Sequence, residues 1–182
     1  MRTLSEHILD IAQNSTRAGA KMIEIIVEES KKKDLCSLTI SDNGCGMDEE
    51  TLKQATNPFF TSRTTRKVGL GLPLLKQKAE DAGGSFSLKS EPGKGTKLQA
   101  EFQLSNIDRP PMGDIWDTLY LLFLSYRDIQ LVYRHLTTSG EFSISTSELN
   151  EALGDVSWQE KEIRNGIIEL IKANLGEIGA AK

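Results

Sequence analysis

Four clusters within the first hundred of 182 residues carry side chains and turns suited to joint chemistry. In Asp42-Asn43-Gly44-Cys45-Gly46-Met47, a carboxylate at a strand end can accept a hydrogen bond from an exocyclic amine, and Gly44 and Gly46 let the backbone approach a flat ring closely. That suits adenine, although the hexapeptide alone also reads as an Asn-Gly turn closing a strand. Upstream, Glu6, Asp10, Asn14 and Arg17 fall at i, i+4, i+8 and i+11, one narrow face of a helix. Asn14 offers the neutral oxygen that Mg²⁺ accepts when it shares its shell with phosphate and water. Asp10 could orient or deprotonate a water one turn earlier, and Arg17 could meet a phosphate one turn later. A solvated amphipathic face has the same pattern. Gly69-Leu70-Gly71-Leu72 opens a helix and presents free N–H groups to an anion, with Arg63, Arg66 and Lys67 just before it. Gly93-Lys94-Gly95-Thr96 by itself is an ordinary hairpin turn followed by threonine.

Periodicity supplies the elements that must hold these clusters. Leu4, Ile8, Ile11 and Ala12 recur at helical spacing over residues 3–18, and Ala18-Gly19-Ala20 ends that helix. Residues 22–28 and 35–41 read as a hairpin around Lys31-Lys32-Lys33-Asp34. A short helix is predicted over 48–55, a polar loop over 59–68, and a helix over 70–82 stopped by Gly83-Gly84. Strands over 85–90 and 97–104 follow. This order predicts an α+β sandwich, a mixed or antiparallel sheet with helices on one face. Asp108-Arg109-Pro110-Pro111 marks a linker over 106–112, dividing a unit at 1–105 from a small α+β unit at 113–182. The second unit is read as a helix over 113–124, a hairpin over 130–135 and 141–145, a helix opening at Ser147 and a helix over 158–175. Ser147-x-x-Asn150 reads as an imperfect capping box. So small a unit is expected to pack on the first or on a partner.

Composition narrows the partners. The net charge is -4, and it is unevenly placed: +1 through Ser105 and -5 beyond. An anionic ligand therefore belongs to the first half, and nucleic acid is not an expected partner. The longest apolar run, around 115–124, is interrupted by Asp117 and far short of a membrane helix. No membrane partner and a cytoplasmic location are expected. Cys36 and Cys45 lack metal-ligand spacing and read as free thiols.

Taken together and in this order, the clusters resemble the GHKL superfamily of gyrase-type topoisomerases, heat-shock chaperone ATPases, histidine kinases and MutL-type repair proteins. Its N-box is matched by residues 6–17, its first glycine box by 42–47, its second by 69–72 and its third by 93–96. Asn57-Pro58-Phe59-Phe60-Thr61-Ser62-Arg63 is similar to the phenylalanine box and lid start of histidine kinases. The resemblance covers about residues 3–104 and implies the Bergerat-type sandwich with ATP and Mg²⁺ as ligands. It implies Asn14 as the Mg²⁺ ligand, Asp42 as the adenine reader with Gly44 and Gly46 beside it, Thr96 as a second adenine-side contact and Met47 packed on the purine. Phe59 would belong to the box, Arg17 and Arg63 would meet phosphate, and Gly69, Leu70, Gly71 and Leu72 would supply backbone donors.

Two departures shape the expected activity. Family ATPases usually carry Glu where this chain has Asp10, and the shorter side chain implies slow hydrolysis, with Glu6 a second candidate base. Histidine kinases carry an upstream acceptor histidine, whereas the two histidines here, His7 and His135, read as structural. The leading expectation is a standalone kinase or ATPase module acting on a separate partner protein in signalling, as anti-sigma-type serine kinases do. A nucleotide-driven switch with slow hydrolysis is the alternative. A MutL-like repair ATPase is weighed third, because residues 18–20 and 42–46 look MutL-like, but the acidic second half and the missing transducer domain oppose it.

Overall fold

The computed structural model describes residues 1–57 and 71–181. Helix α1 (Leu4–Arg17) begins at Thr3, whose hydroxyl accepts the Glu6 N–H at 3.3 Å. The Glu6 carboxylate returns to the N–H groups of Thr3 at 3.4 Å and Arg2 at 2.5 Å, which completes a capping box. Leu4, Ile8, Ile11 and Ala12 are buried along its inner face, each large side chain contributing roughly 1.5–3 kcal/mol.

A hairpin of β1 (Met22–Ser30) and β2 (Leu35–Asp42) follows, with Ile25 opposite Ile40 and Glu29 opposite Cys36. Alternate residues Ile23, Ile25 and Val27 face the core, as period-two patterning requires. Short α2 (Glu49–Gln54) is capped by Asp48, which accepts the Thr51 N–H at 2.7 Å. Helix α3 (Gly71–Asp81) precedes the hairpin of β3 (Phe86–Glu91) and β4 (Gly95–Gln103), and β4 lies antiparallel to β2 with Thr96 opposite Asp42.

The remaining elements are α4 (Ile115–Ser125), β5 (Gln130–Thr137), β6 (Gly140–Ser145), α5 (Thr146–Leu153) and α6 (Lys161–Glu177). Strand β5 pairs in parallel with β1 over seven register pairs, from Met22 with Gln130 to Glu28 with Leu136. The result is one six-stranded mixed sheet in the order β3-β4-β2-β1-β5-β6, an α+β fold as the sequence pattern predicted. The expected packing of residues 113–181 on the first unit takes the form of these shared hydrogen bonds and of α4 lying on α1. The 106–112 segment is fixed as well. The carbonyls of Pro111 and Met112 accept the Leu4 and Ser5 N–H groups at 2.9 Å each, satisfying two donors at the head of α1.

One cap differs from the sequence reading. Helix α5 starts at Ser145, which accepts the Glu148 N–H at 3.3 Å and donates to its carboxylate at 2.7 Å. Ser145 is therefore the N-cap, its hydroxyl exchanging bonds with Glu148, and Ser147 instead donates to Gln130. A Glu at N3 reaches the cap, which Asn150, one methylene shorter, does less well.

At the far end of the sheet from Asp42, Glu29, Tyr133 and His135 form a buried polar cluster. His135 bonds Tyr133 Oη through Nδ1 at 2.7 Å and Glu29 Oε1 through Nε2 at 2.9 Å, and the Ala181 N–H donates to both Glu29 oxygens at 3.1 Å. Both cysteines are free. Burial pushes the Cys36 thiol up to about 11, while Cys45 is exposed.

Candidate functional site

A cleft of about 450 Å³ opens between α1, the β2 end, α2, α3 and the β3–β4 hairpin. Its floor is apolar, built from Ile11, Ile40, Leu88 and Leu98, and its polar groups converge from separate stretches of chain. This combination suits a flat, partly polar ligand.

At one end stands Asp42. Its Oδ2 accepts the Ser15 hydroxyl at 2.6 Å and its Oδ1 accepts the Gly44 N–H at 2.9 Å, so the carboxylate is held in one orientation beside the floor. Gly44 itself backs Asp42 without lining the cleft, and a Cβ there would come within 3.0 Å of Ala18. Asn43 fixes the turn by accepting the Lys21 and Met22 N–H groups at 2.8 Å each. Gly46 has φ +67, and a Cβ on it would meet the Glu91 carbonyl oxygen at 2.0 Å, so only glycine lets this turn lie against the β3–β4 hairpin. Met47 follows on the cleft wall. Its N–H donates to Ser90 Oγ at 2.8 Å, and Ser90 in turn meets the Gly95 carbonyl and Thr96 Oγ1, each at 2.9 Å. One hydroxyl therefore ties the first and third glycine turns together.

At the other end, Asp10, Asn14 and Arg17 line the cleft from α1. Asn14 donates to Asp10 Oδ2 at 3.2 Å and Arg17 donates to Asn14 Oδ1 at 3.1 Å, a chain along the polar face. Gly71 closes against it: a Cβ there would lie 2.0 Å from Asp10 Oδ2. The head of α3 thus leaves no room for a side chain beside the Asp10 carboxylate.

Among the residues expected from the sequence, Asp10, Asn14, Arg17, Asp42, Gly46, Met47, Gly71, Leu72 and Thr96 all line this one cleft. Phe59, Arg63, Gly69 and Leu70 lie outside the described residues. Glu6 is not brought to the cleft. Its carboxylate caps α1, and the Arg2 N–H bond holds it below the usual carboxylate range. The sequence signal for that placement was Thr3-x-x-Glu6, a capping-box pattern. Ser15 and Ser90 were missed, since a single serine on a helix or an edge strand carries no pattern of its own.

The fold and cleft define an α+β sandwich with a cleft between its first helix and its glycine turns. Residues 2–106 match the family described as histidine kinase-, DNA gyrase B-, and HSP90-like ATPase, and the chain belongs to that family. A putative sensor protein of Shewanella frigidimarina is 36% identical over 107 residues, covering 58% of this chain and 16% of that protein. Sporulation kinase C of Bacillus subtilis is 28% identical over 103 residues, 57% of this chain and 24% of its own length. Sensor protein kinase FleS of Pseudomonas aeruginosa is 38% identical over 94 residues, 52% and 23%. The chain spans less than a quarter of the length of each of these relatives. Among solved structures, the N-terminal domain of a DNA repair protein superposes with a TM-score of 0.55 over 80% of this chain and 52% of that one, at 17% identity, a likeness of fold alone. Among the described residues, no helix is long and apolar enough to cross a membrane.

Proposed function

We propose that this chain binds Mg-ATP in the cleft and serves as a histidine-kinase-like module that transfers the γ-phosphoryl group to a separate protein. The observation that carries the reading is the convergence, in one cleft, of a fixed carboxylate at an apolar floor and an Asp-Asn-Arg chain at the head of a glycine-started helix. Asp42 would read the adenine amine, with Thr96 beside it and Met47 against the ring. Asn14 would be the metal's protein ligand, with Arg17 toward phosphate and the Gly71 and Leu72 backbone donating to it. The donor set fits Mg²⁺. Among the described residues no cluster of three His, Cys, Asp or Glu could cage a metal, and Mg²⁺ is characteristically held by one or two protein oxygens plus phosphate and water. When bound, it would neutralise phosphate charge, and positioning by the protein would do most of the rest.

The kinase relatives support a phosphotransfer role. His7 and His135 are both fully buried, so neither ring is presented to a γ-phosphate within the described residues. The second reading is a nucleotide switch with slow hydrolysis. It is favoured by the short Asp10 carboxylate, which is already tied to Asn14. A repair ATPase is supported by fold likeness only. Incubation with γ-labelled Mg-ATP, alone and with candidate partner proteins from the same cell, separates them. Label on a partner supports the kinase, free phosphate alone supports the switch, and neither product refutes both.

A further inference from the structure

Just under the wall made by Asp10 and Gly71 lies His7. Its side chain is fully buried, and neither Nδ1 nor Nε2 has a hydrogen-bond partner. Buried polar groups in folded proteins are almost always paired, because an unpaired one has lost water and gained nothing. His135 obeys that rule with both of its nitrogens engaged. His7 sits among Leu4, Ile8 and Ile11 on the inner side of α1, where an apolar side chain of similar size would pack without an orphaned ring. Packing alone therefore does not account for the residue type.

Its neighbours do. Asp10 lies one helical turn further on, and α3 packs on α1 with Gly71 at its head. Burial holds the imidazole below its ordinary range, while the Asp10 charge and the Gly71 backbone pull the other way. The Gly71 backbone is thus near the ring without completing a hydrogen bond to it. A neutral imidazole keeps one N–H to give. It is placed where the helix bearing Asp10 meets the helix whose first turn would face phosphate.

We propose that His7 is a positioning residue of the nucleotide site: its ring N–H takes the Gly71 backbone as partner when the phosphate end of the cleft is filled, fixing the head of α3 against Asp10. The proposal rests on the Mg-ATP reading and adds to it a residue that touches neither nucleotide nor metal. It also accounts for an imidazole at a buried position where packing alone would favour an apolar side chain.

The test compares wild type with His7→Leu and His7→Gln. Thermal midpoint, Mg-ATP affinity by calorimetry, turnover, and amide exchange over residues 71–75 with and without Mg-ATP are measured on each. The expected result is a Leu variant with an unchanged or raised midpoint, affinity or turnover worse by roughly tenfold or more, and loss of the nucleotide-induced protection at the head of α3. Gln, which retains a donor, should recover part of that protection. A Leu variant with a lowered midpoint but affinity, turnover and protection all matching wild type would make His7 a packing residue and overturn the proposal. Should Leu fail to fold, the ring-shaped His7→Phe carries the same comparison. A wild-type protein that neither binds Mg-ATP nor changes its exchange overturns the Mg-ATP reading itself, and this inference with it.

Discussion

Replacing Asp42 by Asn tests the base-reading end of the cleft with almost no change of shape. In the wild type, Oδ1 accepts the Gly44 N–H at 2.9 Å and Oδ2 accepts the Ser15 hydroxyl at 2.6 Å. The Asn carbonyl can keep the Gly44 bond, and the Ser15 hydroxyl can turn to accept from the new amide, so folding stability should change by only about 1 kcal/mol. Binding should change more. In the proposed site the carboxylate would be the acceptor for an exocyclic amine, and a hydrogen bond to a charged group contributes about 1.5–3 kcal/mol, which corresponds to roughly ten- to hundredfold in affinity. An amide can also donate to a carbonyl oxygen where a carboxylate repels it, so the preference for ATP over GTP should narrow. Calorimetric titration of both nucleotides into both proteins, with thermal melts as the folding control, measures each quantity. A folded Asn variant that binds ATP as tightly as wild type, with the same selectivity, would refute Asp42 as the adenine reader.

Three further outcomes follow from the geometry. A Gly71→Ala Cβ would lie 2.0 Å from Asp10 Oδ2. Because Ala suits a helix, the variant should fold, yet ATP turnover should fall roughly tenfold or more as Asp10 is displaced; an unchanged rate would show that Asp10 need not sit there. Asp10→Asn should bind Mg-ATP nearly as wild type and lose hydrolysis by roughly a hundredfold or more, and undiminished turnover would remove the base role from this side chain. For Glu29, burial pushes the carboxyl up, but the His135 bond and charge, the Ala181 N–H and Arg109 together bring it below its ordinary 4.5. A depressed carboxylate stabilises the fold above that ordinary value, and the contribution is lost as pH falls through the folded value. Glu29→Gln should therefore be less stable by about 1–3 kcal/mol near pH 7, with the gap to wild type closing in acid; a gap that stays constant from neutral pH into acid would contradict the pairing.

What the sequence made legible was local. Helical spacing of Leu4, Ile8 and Ile11 and alternation of Ile23, Ile25 and Val27 write α1 and β1 directly into residue order, and four motifs with different chemical tasks pointed at one ligand. The parallel pairing of β5 with β1 was not legible, because it joins residues more than a hundred positions apart and leaves no periodic mark on either strand. The composition of the 106–112 linker carries no mark of its contact with α1, because the Pro111 and Met112 carbonyls that accept the Leu4 and Ser5 N–H groups are backbone atoms any residue would supply. Glu6 shares the polar face of α1 with Asp10 and Asn14 yet serves the cap, since at N3 a carboxylate is drawn to the unpaired N–H groups beside it. The Ser15 and Ser90 hydroxyls act only through neighbours that the fold brings to them.

The central claim is that the cleft holds Mg-ATP through Asn14. Titrating ATP into wild type and Asn14→Ala, each with and without Mg²⁺, tests it most directly: wild type should bind ATP with an affinity that Mg²⁺ strengthens, and the variant should lose the Mg-dependent part while remaining folded. No binding by wild type at millimolar ATP would contradict the nucleotide site, and a folded variant with undiminished Mg dependence would contradict the role of Asn14.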